Sequence, residues 1–262
     1  KAAIGIDPRD AGHAIGRIAG RDIVIGIALP LRHRQQGAVG RVPPAVIAAA
    51  ERVRDMTALR RDHHSAAMAT AVEYLRHITK AGVSIDDACR QVAFTLTCDT
   101  DVFLTIAKLR AARRLWARIS NVCGANIAAP IHAVTAPRMM SRRDPWVNML
   151  RGTAACFAAG AGGADAITVL PFESAIGLPT SLGRRVARNT QIILQEESSI
   201  NRVADPADGS WMVDALTDEM AEMAWSTFQD IEKSGGMAES LANGKIATRI
   251  AETELARAKN IA

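Results

Sequence analysis

The sequence has few aromatic residues, which make up 4% of its 262 residues. Hydrophobic residues nevertheless make up 48%, so a sizeable core has to be built mainly from alanine, valine, isoleucine and leucine. The formal net charge is +5, and the arginines are spread along predicted helices with no aromatic residues interleaved between them. Surfaces that bind nucleic acid usually combine basic residues with stacking rings, so the composition predicts no nucleic-acid partner.

The sequence also lacks cysteine pairs of the C-x-x-C type and any other spacing typical of a metal site. We therefore predict reduced thiols and no bound metal ion. There is no signal peptide and no apolar run long enough to cross a bilayer, so we expect a cytoplasmic protein that does not enter a membrane. Because the first residue is Lys1 rather than Met, we expect the sequence to be a piece of a longer chain.

Hydrophobic periodicity predicts short strands that alternate with longer helices. The predicted strands are residues 23–29, 92–97, 131–135, 166–172 and 200–204, and the predicted helices are residues 45–59, 65–80, 101–122, 147–159 and 217–234. Such alternation favours βαβ units and a parallel sheet, either doubly wound or closed as a (β/α)8 barrel.

Two sets of polar residues need an interpretation. The predicted helix 101–122 carries a basic row, for which a solvated face is favoured over a face toward phosphate or an acidic partner: Lys108, Arg110, Arg113, Arg114 and Arg118. The adjacent His63 and His64 point to different sides of a helix, so we predict solvated or capping side chains rather than a shared metal.

Several motifs, taken in order over residues 68–262, resemble the methylmalonyl-CoA mutase family. They are Glu73-Tyr74-Leu75-Arg76, Ala107-Lys108-Leu109-Arg110, Ile131-His132-Ala133-Val134-Thr135, Arg143-Asp144-Pro145-Trp146, Arg188-Asn189-Thr190-Gln191, Arg202-Val203-Ala204-Asp205-Pro206 and Gly209-Ser210-Trp211. The resemblance implies an α/β fold of the (β/α)8 TIM-barrel type. We expect residues 63–262 to form only the C-terminal part of that barrel, after a divergent N-terminal segment, residues 1–62.

The same resemblance implies an isomerase that depends on adenosylcobalamin. Its reaction is a radical rearrangement that interconverts (R)-methylmalonyl-CoA and succinyl-CoA. The family positions that face substrate or cofactor fall on five residues of this chain: His132, Thr135, Arg138, Thr168 and Ser174.

The chain departs from the family at the positions that carry chemistry. The family motif His-x-Gln-Thr-Ser-Gly-Trp has Val134 in place of glutamine and Pro137-Arg138 in place of Gly-Trp, and Ser174 replaces a glutamate. Each lost hydrogen-bond partner of a buried ligand costs about 1–3 kcal/mol. We therefore assign no catalytic residue, and we predict a small-subunit-type scaffold that does not bind cobalamin by itself.

Two alternatives remain open from the sequence. Instead of a scaffold, the chain could be a competent mutase barrel completed by sequence not seen here, or a structural or interaction protein on a barrel remnant. The expected partner is a larger catalytic mutase subunit, in a heterodimer that handles acyl-CoA, or else a second copy of the chain. An open half-barrel exposes strand edges and therefore favours such association.

Overall fold

The computed structural model describes residues 63–259. The predicted strand 23–29, the predicted helix 45–59 and the whole segment 1–62 lie outside the described residues. None of the helices within residues 63–259 has the combination of length and apolar character that crossing a bilayer requires.

The described chain is mostly helical, with three short strands. Its elements are α1 His63–Lys80, α2 Ile85–Arg90, β1 Phe94–Cys98, α3 Val102–Val122, β2 Ile131–Thr135, α4 Val147–Ala161, β3 Ala166–Thr168, α5 Ser181–Glu196, α6 Trp211–Lys233, α7 Gly236–Ala242 and α8 Lys245–Lys259. Two helix starts follow from side-chain caps: Ser84 accepts a hydrogen bond from the Asp87 amide, and Asp101 accepts one from the Leu104 amide.

The strands form one parallel sheet in the order β1-β2-β3. Alternate residues point to opposite faces. One face is buried under the helices through Phe94, Leu96, Ile131 and Ala133. The other, here called the open face, is half-buried or exposed and consists of Thr95, Thr97, His132, Val134, Ala166 and Thr168. The α/β class and the parallel sheet are therefore confirmed for this part of the chain.

The core lies between the covered face of the sheet and helices α1, α3 and α6. Trp116 anchors it: its ring meets Phe94 edge to face at 5.3 Å, and its indole N–H donates to the Ile127 carbonyl at 2.8 Å. Small residues let the helices approach closely, as at Ala112 and Ala224, which are fully buried. The core is thus built from alanine and aliphatic residues, as the composition requires.

The basic row of α3 does not face solvent alone. Arg110 binds both Asp205 and Asp214, at 3.0 and 2.7 Å, and Arg118 stacks over the Trp225 ring at 4.6 Å. The remaining contacts pair Arg113 with Asp165 and Arg114 with Asp218. The solvated interpretation therefore holds only for Arg114 and Arg118, which are exposed, whereas Lys108, Arg110 and Arg113 are half-buried and acidic residues of the same chain, mainly from α6 and the turn before it, contact this face.

The interpretation of His64 as solvated was also wrong. Its side chain is fully buried, and its Nε2–H donates to the Lys108 carbonyl at 2.9 Å. Burial, followed by the nearby charge of Lys108, lowers the pKa of His64 to about 3. The ring is therefore neutral at pH 7 and ties α1 to α3.

The predicted strand 200–204 is wrong as well. Residues Ile200–Arg202 form a 3₁₀ turn, and Val203 is 60% exposed. Ser199 has a φ of 54°, a left-handed conformation that turns the chain just before the segment and prevents an extended entry. The branched side chains suit a strand, but within residues 63–259 no strand pairs with this segment.

Candidate functional site: the open face and the carboxyl edge of the sheet

The carboxyl ends of the three parallel strands meet at one edge of the sheet. In α/β sheets and barrels this edge, with the loops that follow it, carries ligand and catalytic groups. The residues assigned from family positions are therefore expected on the open face or in these loops. The structure brings only two of the five together on the open face.

His132 and Thr168 are that pair. His132 lies on β2 and Thr168 on the adjacent β3, and His132 Nε2 is 2.8 Å from Thr168 Oγ1. Burial lowers the pKa of His132, so its imidazole is neutral near pH 7, with one ring nitrogen donating and the other accepting. The hydroxyl and one ring nitrogen thus satisfy each other within the chain.

Thr135 lies on the opposite face. Its side chain is fully buried under the helices, and its Oγ1 accepts a hydrogen bond from the Leu170 amide at 2.8 Å. Because strand side chains alternate, Thr135 shares a face with Ile131 and Ala133 and not with His132. The residue holds the chain that leaves β3 instead of facing a ligand from the open face.

Arg138 lies in the 3₁₀ turn Pro137–Met139 that follows β2. Its guanidinium binds the Asp99 carboxylate at 2.7 Å, and Asp99 also accepts from the Asp101 amide at 3.0 Å. The pair joins the loops after β1 and β2 across the carboxyl edge. Asp99 is not among the site residues predicted from the sequence, although its place directly after a predicted parallel strand, next to the strand that leads to Arg138, was a usable signal.

Ser174 lies in the loop after β3, where its hydroxyl donates to the Pro171 carbonyl. The neighbouring Glu173 accepts from the amide and hydroxyl of Thr180, at 2.7 and 2.8 Å, and so fixes the start of α5. Both side chains therefore serve the loop itself.

The open face has little acid–base chemistry. Val134 lies between Thr97 and Thr168 in the sheet register, so an aliphatic side chain lies at the centre of the face. Within residues 63–259, no three histidine, cysteine, aspartate or glutamate side chains cluster as a metal site. The Thr97 hydroxyl is in turn contacted by Lys108 Nζ at 3.2 Å.

A cavity of about 370 Å³ lies beside β3, at the edge that pairs with no other strand within residues 63–259. It is lined by Ala166 and Ile167 of β3, by Gln191 and Leu194 of α5, and by Ile200. From the sequence we expect Asn189, Gln191 and Gln195 to make polar contacts that brace the wall of a mutase-type barrel. In the part of the chain that the structure describes, Asn189 and Gln195 are exposed and make no side-chain hydrogen bond, so that bracing is absent there.

Comparison with known proteins gives the family. The family model described as methylmalonyl-CoA mutase matches residues 45–262. A methylmalonyl-CoA mutase small subunit of Streptomyces virginiae is 54% identical over 199 residues, which cover 75% of this chain and 32% of that protein. The small subunit of Propionibacterium freudenreichii subsp. shermanii is 44% identical over 200 residues, 75% of this chain and 31% of that protein.

Relatives named without a subunit are also similar. The methylmalonyl-CoA mutase of Escherichia coli (strain K12) is 36% identical over 198 residues, which are 74% of this chain and 28% of that protein. The matched region spans about a third of the length of these relatives. The family resemblance of the motifs is confirmed, and the chain belongs to the methylmalonyl-CoA mutase family.

Proposed function

We propose that the chain is a small-subunit-type scaffold in an adenosylcobalamin-dependent methylmalonyl-CoA mutase and that it carries no catalytic residue. The contact between His132 and Thr168 on the open face carries the proposal, because the polar groups expected to meet a ligand are bonded to each other. Val134, beside them, offers no hydrogen bond at all. The mutase around this chain would interconvert (R)-methylmalonyl-CoA and succinyl-CoA.

The fold part of the proposal is that residues 63–262 form the C-terminal portion of a (β/α)8 barrel. Three parallel strands with helices on one face and small polar side chains on the other are consistent with a segment of barrel wall. Within residues 63–259, β1 and β3 each pair on one side only, and a closed barrel would require further strands at both edges.

The residues at the carboxyl edge do not fit a cobalamin site of this chain's own. Pro137 and the Arg138–Asp99 ion pair occupy the edge after β2, and Ser174 is bonded to its own loop. His132, a histidine on the open face, has its Nε2 engaged by Thr168. No catalytic step is therefore derived through the cofactor, which we assign to the assembled mutase and not to this chain.

The proposed partner is a larger, catalytic mutase chain. The relatives at 54% and 44% identity are both named small subunits, which supports a heterodimer over self-association. A cytoplasmic location is part of the same proposal, supported by four cysteines that are all free thiols in the structure.

The test is to measure ligand binding and turnover for the full chain alone, for the larger chain alone and for the mixture. We expect the isolated chain to bind neither adenosylcobalamin nor (R)-methylmalonyl-CoA in calorimetry and to show no turnover, while it co-purifies with the larger chain. Turnover by the isolated chain would instead establish the competent-barrel alternative. Failure to associate with the larger chain would leave the interaction-protein alternative.

A further inference from the structure

The outer face of helix α4 is apolar and uncovered in the described structure. Trp146, at the start of the helix, is 59% exposed, Leu150 is 73% exposed, and Phe157 is also exposed. Their spacing of four and seven residues puts them on one side of the helix, which we call the α4 outer face. Thr153 lies between them on the same side.

The opposite side of α4 is buried and is also largely apolar. Asn148, Gly152, Ala155 and Ala159 pack inward, and Arg151 is the one charged residue among the 15 residues of the helix. An amphipathic surface helix carries polar residues on the side that faces water, whereas a helix that is apolar all round is normally buried. Exposed apolar surface of this kind, next to polar residues, marks an interaction site.

The charges around this face favour a different protein over a second copy. Directly before Trp146, Arg142 and Arg143 are exposed, and the exposed Asp144 that follows them accepts a hydrogen bond from the Trp146 amide at 3.0 Å, so arginines outnumber acids two to one at this end of the face. In a two-fold dimer through the α4 outer face, the same arginines would approach each other. Like charges across an interface are unfavourable, so the complementary partner has an apolar face with an acidic rim.

We infer that the α4 outer face is the surface that binds the larger mutase chain. This inference rests on the proposed function, since it names where that partner attaches. Leu150 is the central anchor, and Arg142 and Arg143 form a basic rim that meets acidic groups of the partner. The Trp146 ring stacks on the Phe172 ring, with 5.1 Å between their centroids, and this contact fixes its orientation before the partner binds.

The test compares two leucines with similar exposure in the full-length chain. Leu150→Asp alters the proposed interface, whereas Leu255→Asp alters a leucine on α8 that is 65% exposed and lies outside it. We expect Leu150→Asp to weaken binding to the larger chain at least about tenfold in calorimetry, as for a buried interface anchor, and Leu255→Asp to leave the Kd unchanged.

Three other results would overturn the inference. Equal affinity of Leu150→Asp and wild type would remove α4 from the interface and leave the subunit assignment intact. A lower free energy of unfolding for Leu150→Asp than for Leu255→Asp in the isolated chain would mean that the chain itself covers this face. A wild-type homodimer that Leu150→Asp converts to monomer would identify a second copy as the occupant. If wild type does not bind the larger chain at all, the proposed function itself fails.

A second variant tests the basic rim. The double change Arg142→Glu and Arg143→Glu places acidic groups where complementary acids are expected, so association should slow at least about tenfold at low salt. The difference should shrink at high salt, because exposed charges are then screened. An association rate that does not respond to the reversal would contradict an acidic rim on the partner.

Discussion

The Arg110 guanidinium on α3 lies 2.7 Å from the Asp214 carboxylate in the first turn of α6. The same guanidinium also binds Asp205 in the turn that precedes α6. Only 17% of the Arg110 side chain is exposed, so water screens this network less than it screens an ordinary surface ion pair. One arginine thereby positions the whole segment that leads into α6.

Replacing Arg110 with methionine should therefore destabilise the fold measurably. We expect the free energy of unfolding to fall by about 1–3 kcal/mol, because two carboxylates lose a charge-assisted hydrogen bond. Arg114→Met is the matched control: Arg114 also links α3 to α6, through Asp218, but is 59% exposed, so its loss should cost about 0–1 kcal/mol. Urea unfolding of both variants measures the difference, and equal losses would contradict the role given to burial.

The buried imidazole of His64 should make stability depend on pH. Its pKa is about 3 in the folded chain, whereas a histidine in the unfolded chain has the ordinary value of 6.5. The unfolded chain therefore binds the proton more readily. The contribution of His64 is complete above pH 6.5 and is lost as the pH falls from 6.5 toward 3. At pH 5 the loss amounts to about 2 kcal/mol, at about 1.4 kcal/mol per pH unit.

His64→Gln keeps a donor for the Lys108 carbonyl and removes the titration. Unfolding measured in urea from pH 7 to pH 5 should therefore show a shallower decline for His64→Gln than for wild type. The comparison of slopes is independent of the absolute stability of the variant. Identical slopes in the two proteins would mean that His64 is accessible to protons in the folded state.

The parts of the fold set by local chemistry could be predicted from the sequence. Ser84 and Asp101 begin their helices, and the strand 131–135 has its predicted ends, because capping and alternation act over a few residues. The covering of the α3 arginines could not be predicted, since their acidic partners lie about a hundred residues later. The strand predicted for residues 200–204 was wrong for a related reason. Branched residues favour a strand only where another strand is available to pair.

In the candidate site, too, local features could be predicted from the sequence, and contacts between distant residues could not. The position of Thr135 followed from the sequence, because a residue three places after His132 in a strand must point to the other face. Family position alone overlooked this alternation. The pairing of Arg138 with Asp99 and of His132 with Thr168 depends on strand order and register, which no local pattern contains.

Gly162 allows the end of α4 to approach α3 closely. A Cβ at this position would be 2.9 Å from Leu109 Cδ1 and 3.2 Å from the Ile106 Cα, and the φ of −77° suits alanine, so only packing is affected. Gly162→Ala should reduce the free energy of unfolding by about 1–3 kcal/mol through overpacking. Gly177→Ala, where a Cβ meets nothing within 4 Å, is the control and should stay within about 0.5 kcal/mol of wild type in the same urea titration.

Thr135 and Thr168 offer a test of which threonine is structural. Thr135→Val removes the acceptor of the Leu170 amide inside the protein, so we expect a loss of about 1–3 kcal/mol in the free energy of unfolding. Thr168→Val removes only the exposed contact with His132 and should cost less than about 1 kcal/mol. Both changes conserve side-chain volume on a strand, so urea unfolding compares the hydrogen bonds directly. If the two variants lose the same stability, the Thr135 hydroxyl does not hold the chain after β3. The family resemblance, which places Thr135 against a ligand, would then be the better explanation of this residue.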